Sequence, residues 1–300
     1  EILEYDASIL EELEPFSREM DHPVGDSAFF LTQVLSKRAV ESTHVILSGA
    51  GADEIFAGYN RHYAYYWYLK NYRKLRPFQP VLRRLLDAFP VGRGVPFRKR
   101  LQLWRKLVNR LEPDPERTYD HFMALDMPWV SDQGAASHGG QTDRDIENLL
   151  AYALERDRQE YLPEDVLTVN DRSAMRHHVE MRMPYLDLEL TRFVRRLPSG
   201  WLLSKGTKWI LKAILRDHGG ARFTNRPKEG FGLPFGSWLR SADHQYLVSY
   251  LKDHAGRLHP HLDRKDLERA IAQHLSGKRD YSQELWSILI LVMWMKHQFE

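Results

Sequence analysis

A short β-branched run that ends in a small, glycine-rich turn constrains this chain more than any other feature. His44-Val45-Ile46-Leu47 runs into Ser48-Gly49-Ala50-Gly51, and Asp53 and Glu54 follow at once. Such a run predicts a buried parallel strand that opens into a loop at its carboxyl end, the end where open α/β sheets bind ligands. Glycines there let backbone amides approach an anionic ligand closely, and the Ser48 hydroxyl adds a donor. Asp53 and Glu54 place two carboxylates at a helix start, where the dipole favours them and a hard cation can sit between protein and phosphate. By itself, a Gly-x-Gly-x-x-acid pattern is more often a plain strand-to-helix turn with an acidic first turn.

The rest of the chain gives that turn a setting. Ser27 to Lys37 predicts a helix with Phe29, Phe30, Val34 and Leu35 on one face. Ile2-Leu3-Glu4-Tyr5-Asp6 alternates weakly and predicts a first strand. Tyr59 to Leu111 predicts long, aromatic-rich, basic helices punctuated by Pro90, Gly92, Gly94 and Pro96, with the tyrosines at 63–68 turned toward a core. Ser131 to Asp145 predicts a loop, residues 146 to 218 predict helices, and Asn225 to Trp238 predicts a Gly/Pro-rich loop. Leu285 to Met295 is about half the ~20 residues needed to cross a bilayer, so it predicts a buried closing helix. Only two strands emerge, both near the amino terminus. Parallel sheets are normally larger, which implies strands upstream of residue 1.

Charge and cysteine usage narrow the function classes. Lys+Arg is 43 and Asp+Glu is 41, a formal charge of +2, which gives no electrostatic case for a nucleic-acid or membrane partner. There is no cysteine, which excludes disulfides, a thiolate nucleophile and thiolate metal sites within this chain. The acidic stretch Glu1 to Glu14 is not a signal peptide, and a cytoplasmic location is expected. His177-His178 point to different helix faces and lack metal-ligand spacing. Arg98-Lys99-Arg100 with Arg105 and Lys106 predicts a solvated basic face.

Two further segments carry chemistry. Tyr161 to Asp187 reads YLPEDVLTVNDRSAMRHHVEMRMPYLD and packs Asp171, Arg172, Glu180, Arg182 and Asp187 into a helical window that Pro184 ends. Met175, Val179, Met181 and Met183 make it too apolar to be freely exposed, so its charges are expected to be buried with partners or a function. In Asn225-Arg226-Pro227-Lys228-Glu229-Gly230-Phe231-Gly232-Leu233-Pro234-Phe235, the backbone fixes the direction of Lys228. A lysine so placed can steady negative charge on a phosphate or a tetrahedral intermediate.

Together the three segments resemble the asparagine synthetase family, within the PP-loop ATP pyrophosphatases. Ser48, Gly49, Gly51, Asp53, Glu54, Phe56, Gly58 and Tyr59 match its S-G-x-G-x-D-E…F-x-G-Y motif. Leu162, Pro163, Asp165, Asp171, Arg172, Met175, Glu180, Arg182, Pro184, Tyr185, Leu186 and Asp187 match the middle motif. Arg226, Lys228, Gly230, Phe231, Gly232 and Pro234 match R-x-K-x-G-F-G-x-P, and Asp21, Pro23, Asp26 and Ser27 resemble a segment ahead of the second strand. The resemblance runs over essentially the whole chain, in family order.

The resemblance implies a predominantly helical α/β fold: a truncated PP-loop, Rossmann-like parallel sheet covered by helices. One partial synthetase domain would span 1–300, with a nucleotide-sheet remnant at 1–60, a helical insertion at 61–145 and a helical part with the catalytic loop at 146–300. It implies ATP and Mg²⁺ as cofactors. Ser48, Gly49 and Gly51 would contact the nucleotide, and Asp53 would hold Mg²⁺ against pyrophosphate. Lys228 would stabilise phosphate charge, while Asp171, Arg172 and Glu180 would shape the catalytic site. The implied reaction activates aspartate as a β-aspartyl-adenylate, which ammonia converts to asparagine with release of AMP. The ammonia would come from glutamine through a glutaminase domain outside this chain, and a homodimer is expected.

Three departures are visible. The S-G-G-x-D-S loop is absent, so truncation ahead of residue 1 is expected. The glutaminase domain and its cysteine are absent too, so this chain alone is expected to be incomplete. Ala50 stands where the family commonly carries an acidic residue, which leaves open a related amide- or lactam-forming enzyme acting on another carboxylate, or a fragment inactive by itself.

Overall fold

A computed structural model describes residues 11–88, 107–112, 114–125, 127, 145–224, 231–258 and 262–299. The expected strand at Ile2–Asp6, the Pro90–Pro96 breaks, the basic run 98–106, the loop over 131–144 and Lys228 with its neighbours at 225–230 lie outside the described residues.

Among the described residues helices dominate, around one small parallel sheet. The chain enters through α1 (Leu13–Arg18) and α2 (Ser27–Ala39), followed by β1 (Val45–Leu47) and the short α3 (Ala52–Ile55). Then come α4 (Asn60–Leu75), α5 (Gln79–Ala88), α6 (Pro115–Met123) and α7 (Ile146–Arg156). A π-helical segment (Asp157–Leu167) continues from α7 into α8 (Thr168–Met175), and β2 (Glu180–Arg182) comes next. Further on lie α9 (Leu188–Val194), α10 (Ser199–Leu203), α11 (Trp209–Leu215) and α12 (Ala221–Thr224). The chain closes with α13 (Phe235–Trp238), α14 (Gln245–His254), α15 (Arg264–Leu275) and α16 (Ser282–Phe299).

Local chemistry explains several of the starts. Asp26 caps α2 by accepting from the Ala28 N–H at 2.8 Å, and Asp263 caps α15 through the N–H groups of Lys265 and Asp266. Asp114 caps α6 and Pro115 opens it, where the missing N–H costs nothing.

Two cores result. In the first, α1, α2 and α13–α16 bury Phe16, Phe30, Phe235, Trp286 and Leu289. The Phe16 and Phe30 rings meet edge-on at 4.9 Å, and Phe235 meets Trp286 at 5.1 Å. The apolar closing segment is thus a buried helix, as its composition predicts. In the second core, α3, α4, α6, α7 and α10 bury Ile55, Tyr65, Tyr68, Tyr119, Leu150 and Leu203. The tyrosines of α4 divide by face, Tyr65 and Tyr68 inside and Tyr63 exposed.

Three expectations are corrected. Strand β1 pairs in parallel with β2 in the register Val45↔Glu180, Ile46↔Met181, Leu47↔Arg182, so the strands are not confined to the region near the amino terminus. Val45 and Leu47, two residues apart and so on one face, meet solvent, Leu47 with 72% of its surface; β1 is not a buried strand. Finally, no helix runs through Glu180. The N–H groups of His177 and Val179 both bond the Ala174 carbonyl, His178 takes a left-handed φ of 56°, and the chain reverses into β2. Pro184 opens a one-turn 3₁₀ helix instead of ending an α-helix.

Leu289 lies with none of its surface exposed, at the centre of the first core. Leu289→Ala is expected to destabilise the protein by about 2–5 kcal/mol in guanidinium denaturation, from lost transfer energy plus the cavity left behind.

Candidate functional site

The turn after β1 is open at its mouth. The Ser48 N–H donates to the Arg182 carbonyl at 2.8 Å, which ends the ladder, and the Ser48 hydroxyl donates to Asn170 Oδ1 at 3.0 Å. The Ala50 N–H donates back to Ser48 Oγ at 3.2 Å. A side chain added at Gly49 would meet nothing within 4 Å, so a ligand can lie against that backbone. Gly51 takes a left-handed φ of 86°, and a Cβ there would overlap Leu186. Two constraints therefore require glycine at the position that turns the chain into α3.

Asp53 and Glu54 leave α3 in different directions. Asp53 Oδ1 meets Lys208 Nζ at 2.9 Å with both side chains part-exposed, and a Cβ at Gly58 would overlap the Asp53 carboxylate. Lys208 itself has a left-handed φ of 50°, a conformation lysine rarely adopts. Glu54 is buried and accepts a short hydrogen bond from the Tyr59 hydroxyl. Burial pushes its carboxyl above the usual range, and the charges of Asp53 and Asp157 push the same way against the Tyr59 hydrogen bond.

Behind Glu54 lies a buried polar cluster. Asp157, fully enclosed, accepts from Arg61 Nη2 at 2.7 Å and Nε at 3.2 Å, from His62 Nε2 at 2.6 Å and from the Tyr119 hydroxyl at 2.8 Å. Burial alone would raise the Asp157 carboxyl, but the His62 hydrogen bond and the neighbouring positive charge outweigh it and hold it below the ordinary range. Burial pushes His62 down, so the neutral ring donates through Nε2–H and Arg61 carries the positive charge. That tautomer leaves buried His62 Nδ1 with no partner among the described residues.

Arg61 also stacks on two rings, its guanidinium carbon 3.9 Å from the centroid of Tyr59 and 4.4 Å from that of Tyr161. Asp165 lies four residues beyond Tyr161 on the same π-helical segment. Burial, reinforced by the charge of Asp26, pushes Asp165 up to about 6. Burial raises Asp26 as well. Beside Asp26 a cavity of about 360 Å³ opens between the starts of α2 and α16, walled by Ser27, Phe231, Phe235, Ser282 and Trp286.

The structure joins some of the sequence-nominated residues and separates others. Ser48, Gly49, Gly51 and Asp53 form one mouth. Asp171, Arg172 and Glu180 are exposed, contrary to the burial expected of them. Arg172 is ion-paired with Asp21, and Glu180 pairs with Arg182 at 2.9 Å, since residues two apart on a strand share a face. It is their neighbour Asn170 that faces the turn. Lys228 lies outside the described residues. The residues overlooked as individuals are Asp26, Arg61, Asp157, Tyr161, Asp165 and Lys208. The spacing 157, 161, 165 was the available signal, because residues four apart on a helix share a face.

Asp53 is the carboxylate at this mouth that could hold a cation. The described residues contain no group of three His, Cys, Asp or Glu side chains able to bind a metal. One carboxylate beside an open, amide-lined turn fits Mg²⁺, which commonly takes one or two protein carboxylates and draws its other ligands from phosphates and water. No helix of the described residues is long and apolar enough to cross a membrane.

Known proteins share this sequence pattern. The family model described as asparagine synthase matches residues 3–296. A putative asparagine synthetase (glutamine-hydrolyzing) from Mycobacterium tuberculosis H37Rv is 28% identical over 293 residues, which covers 92% of this chain and 42% of the relative. Asparagine synthetase (glutamine-hydrolyzing) 1 from Bacillus subtilis is 24% identical over 288 residues, covering 91% and 44%. The chain therefore spans less than half the length of these relatives.

The Asp165 carboxyl supplies a stability test. Its value of about 6 in the folded protein exceeds an ordinary aspartate's value of about 3.9, so folding favours the protonated form. Its stabilising contribution is complete below about pH 4 and is lost as pH rises through about 6. Asp165→Asn is expected to be more stable than wild type at pH 7.5 by on the order of 1–2 kcal/mol, discounted for partial exposure. Denaturant titrations at pH 7.5 and pH 4 check this, and the gain should vanish at the lower pH.

Proposed function

The chain belongs to the asparagine synthase family, and from that premise we propose that it supplies the adenylating, amide-forming site of an ATP-dependent carbon–nitrogen ligase, with aspartate as the carboxylate. The observation that carries the reading is the Ser48–Asp53 turn: open backbone over Gly49, a hydroxyl at Ser48 and a carboxylate at Asp53, gathered at the carboxyl end of β1. That is the chemistry a nucleotide triphosphate with a divalent cation requires.

In this reading the Gly49 and Ala50 backbone and Ser48 orient the nucleotide. An oxygen of the aspartate side-chain carboxylate attacks the α-phosphorus, and the bond to pyrophosphate breaks. Ammonia then attacks the activated carbonyl carbon, the carbon–oxygen bond to AMP breaks, and the proton shed by the new nitrogen passes to a neighbouring base. Asp53 would hold Mg²⁺, which when bound supplies neutralisation of phosphate charge. Lys208, which contacts Asp53, and Lys228, which the resemblance implies, would balance the charge that develops. The ammonia source is expected to be glutamine, through a glutaminase domain of the longer relatives' kind.

Ala50 motivates a second reading, an enzyme that activates a different carboxylate. Its methyl group brings no charge to the turn, so nothing at that position selects for the aspartate ammonium or against other acids.

The test is product formation by the full-length protein with ATP, Mg²⁺, ammonium and aspartate. AMP, pyrophosphate and asparagine are expected in equal amounts. Asp53→Asn should lower kcat/KM by about 100-fold or more. AMP release with another small carboxylate and none with aspartate would move the assignment to the second reading. No AMP with any carboxylate of a broad panel would overturn both.

A further inference from the structure

The near-neutral total charge conceals an uneven distribution. Between residues 70 and 110 the chain carries thirteen Lys and Arg and a single acid, Asp87; elsewhere thirty bases face forty acids. So long a block of like charge repels itself and is stabilised by an extended surface of the opposite sign. Six of those bases fall on α4, on α5 and on the 3₁₀ turn Arg76–Phe78 that joins them. Lys74, Arg83 and Arg84 are exposed, and none of the three has a carboxylate partner among the described residues.

The same elements show apolar side chains to solvent. Phe78, Val81 and Leu85 keep 62%, 57% and 54% of their surfaces exposed. Val81 and Leu85 lie one turn apart on α5 and so share a face, whereas Leu82 and Leu86 are half-buried. The Gln79 side chain pins the start of the helix by donating to the Leu111 carbonyl at 2.7 Å and to that of Val108 at 3.4 Å. Helix α5 is therefore a ridge fastened to the body of the protein, apolar along its crest and basic on its flank.

We propose that this face rests on the surface of an anionic lipid bilayer, with Phe78, Val81 and Leu85 in the headgroup layer and Lys74, Arg83 and Arg84 beside acidic headgroups. The pairing of charge with apolar surface selects that partner. A helix with bases on one side and Phe and Leu on the other lies in the plane of an interface, its apolar side entering the headgroup boundary. A basic segment adds attraction to the acidic lipids. A nucleic acid would take the bases, but it gives the aliphatic Val81 and Leu85 nothing to stack on. A protein groove that closes round a helix needs that helix free. Gln79 fastens α5, and Leu82 and Leu86 are turned partly inward, so a flat surface is what its crest can meet.

Cosedimentation of the 300-residue protein with lipid vesicles tests this. Vesicles of phosphatidylcholine alone are set against vesicles with about one-third phosphatidylglycerol, which supplies the negative surface charge. At low salt the acidic vesicles should bind the protein about tenfold or more tightly, and about 1 M salt should remove most of that difference. Val81→Ser with Leu85→Ser should weaken binding about tenfold, because the crest then has little apolar surface to withdraw from water. Arg83→Gln with Arg84→Gln should weaken it about fivefold per charge removed. All four side chains are exposed, so the variants should keep the wild-type fold, which circular dichroism checks. Leu85→Ser alone, expected to weaken binding about threefold, decides the matter if the double variant does not fold.

No preference for acidic vesicles would overturn the proposal. Losses confined to the arginine variants would overturn it too, since they mean a charge contact without insertion. Tighter binding to duplex DNA or to polyglutamate than to the acidic vesicles would hand the face to another class of partner. The readout involves no catalysis, so its outcome is independent of the proposed ligase activity.

Discussion

Everything near the turn depends on one enclosed carboxylate. Taking the Asp157 charge out of water costs several kcal/mol, and only a complete set of donors offsets such a cost. The set here is complete: a two-point arginine contact, an imidazole N–H and a phenol. Because the donors come from α4 and α6 while the acceptor begins the π-helical segment, satisfying one charge fixes three elements relative to one another. The arrangement is all-or-none, since losing any donor leaves a buried anion short of partners.

That anchor sets the register of the π-helical segment. Residues 157, 161 and 165 recur every four positions in a stretch whose turns are wider than α-helical, so Tyr161 and Asp165 are carried along the face that Asp157 defines. Pro163 lies inside the segment and cannot donate an N–H; a wide turn accommodates that loss, and the Thr168 hydroxyl bonds the Pro163 carbonyl at 3.0 Å. The segment hands over to α8, whose Asn170 reaches the Ser48 hydroxyl. A continuous path therefore runs from Tyr119 in the helical part of the chain to the mouth of the turn.

Features whose cause is local could be read from the sequence. Ser48 to Asp53 is legible because glycine, serine and an acidic first turn have backbone reasons to occur there, and α2 is legible from its apolar face. The closing helix is legible because an apolar run of that length has few other fates. Features whose cause is tertiary stayed hidden. A charge run marks Asp171 and Arg172, yet which side of α8 faces the turn depends on how the π-helical segment winds, and Asn170 is the residue that faces it. Glu180 sits on a three-residue strand too short to show a period. Asp165 was visible within a motif, but its elevated value comes first from burial and then from Asp26, which is distant in the chain, and both arise only on folding.

The two acids that open α3 show why neighbours in sequence need not share a task. Asp53 meets a lysine on the open side of the helix, where an incoming cation can exchange with the ammonium without exposing a buried charge. Glu54 is enclosed, its carboxyl raised first by burial and then by the charges of Asp53 and Asp157, and its partner is a phenol. Ionising Glu54 would add a third negative charge beside those two, so a cation arriving at Asp53 would relieve that repulsion and work against the proton on Glu54. An Asp-Glu pair at a helix start thus resolves into one group that can face a charged ligand and one that braces the wall behind it, and the orientation of both follows from the left-handed turn that only Gly51 can make.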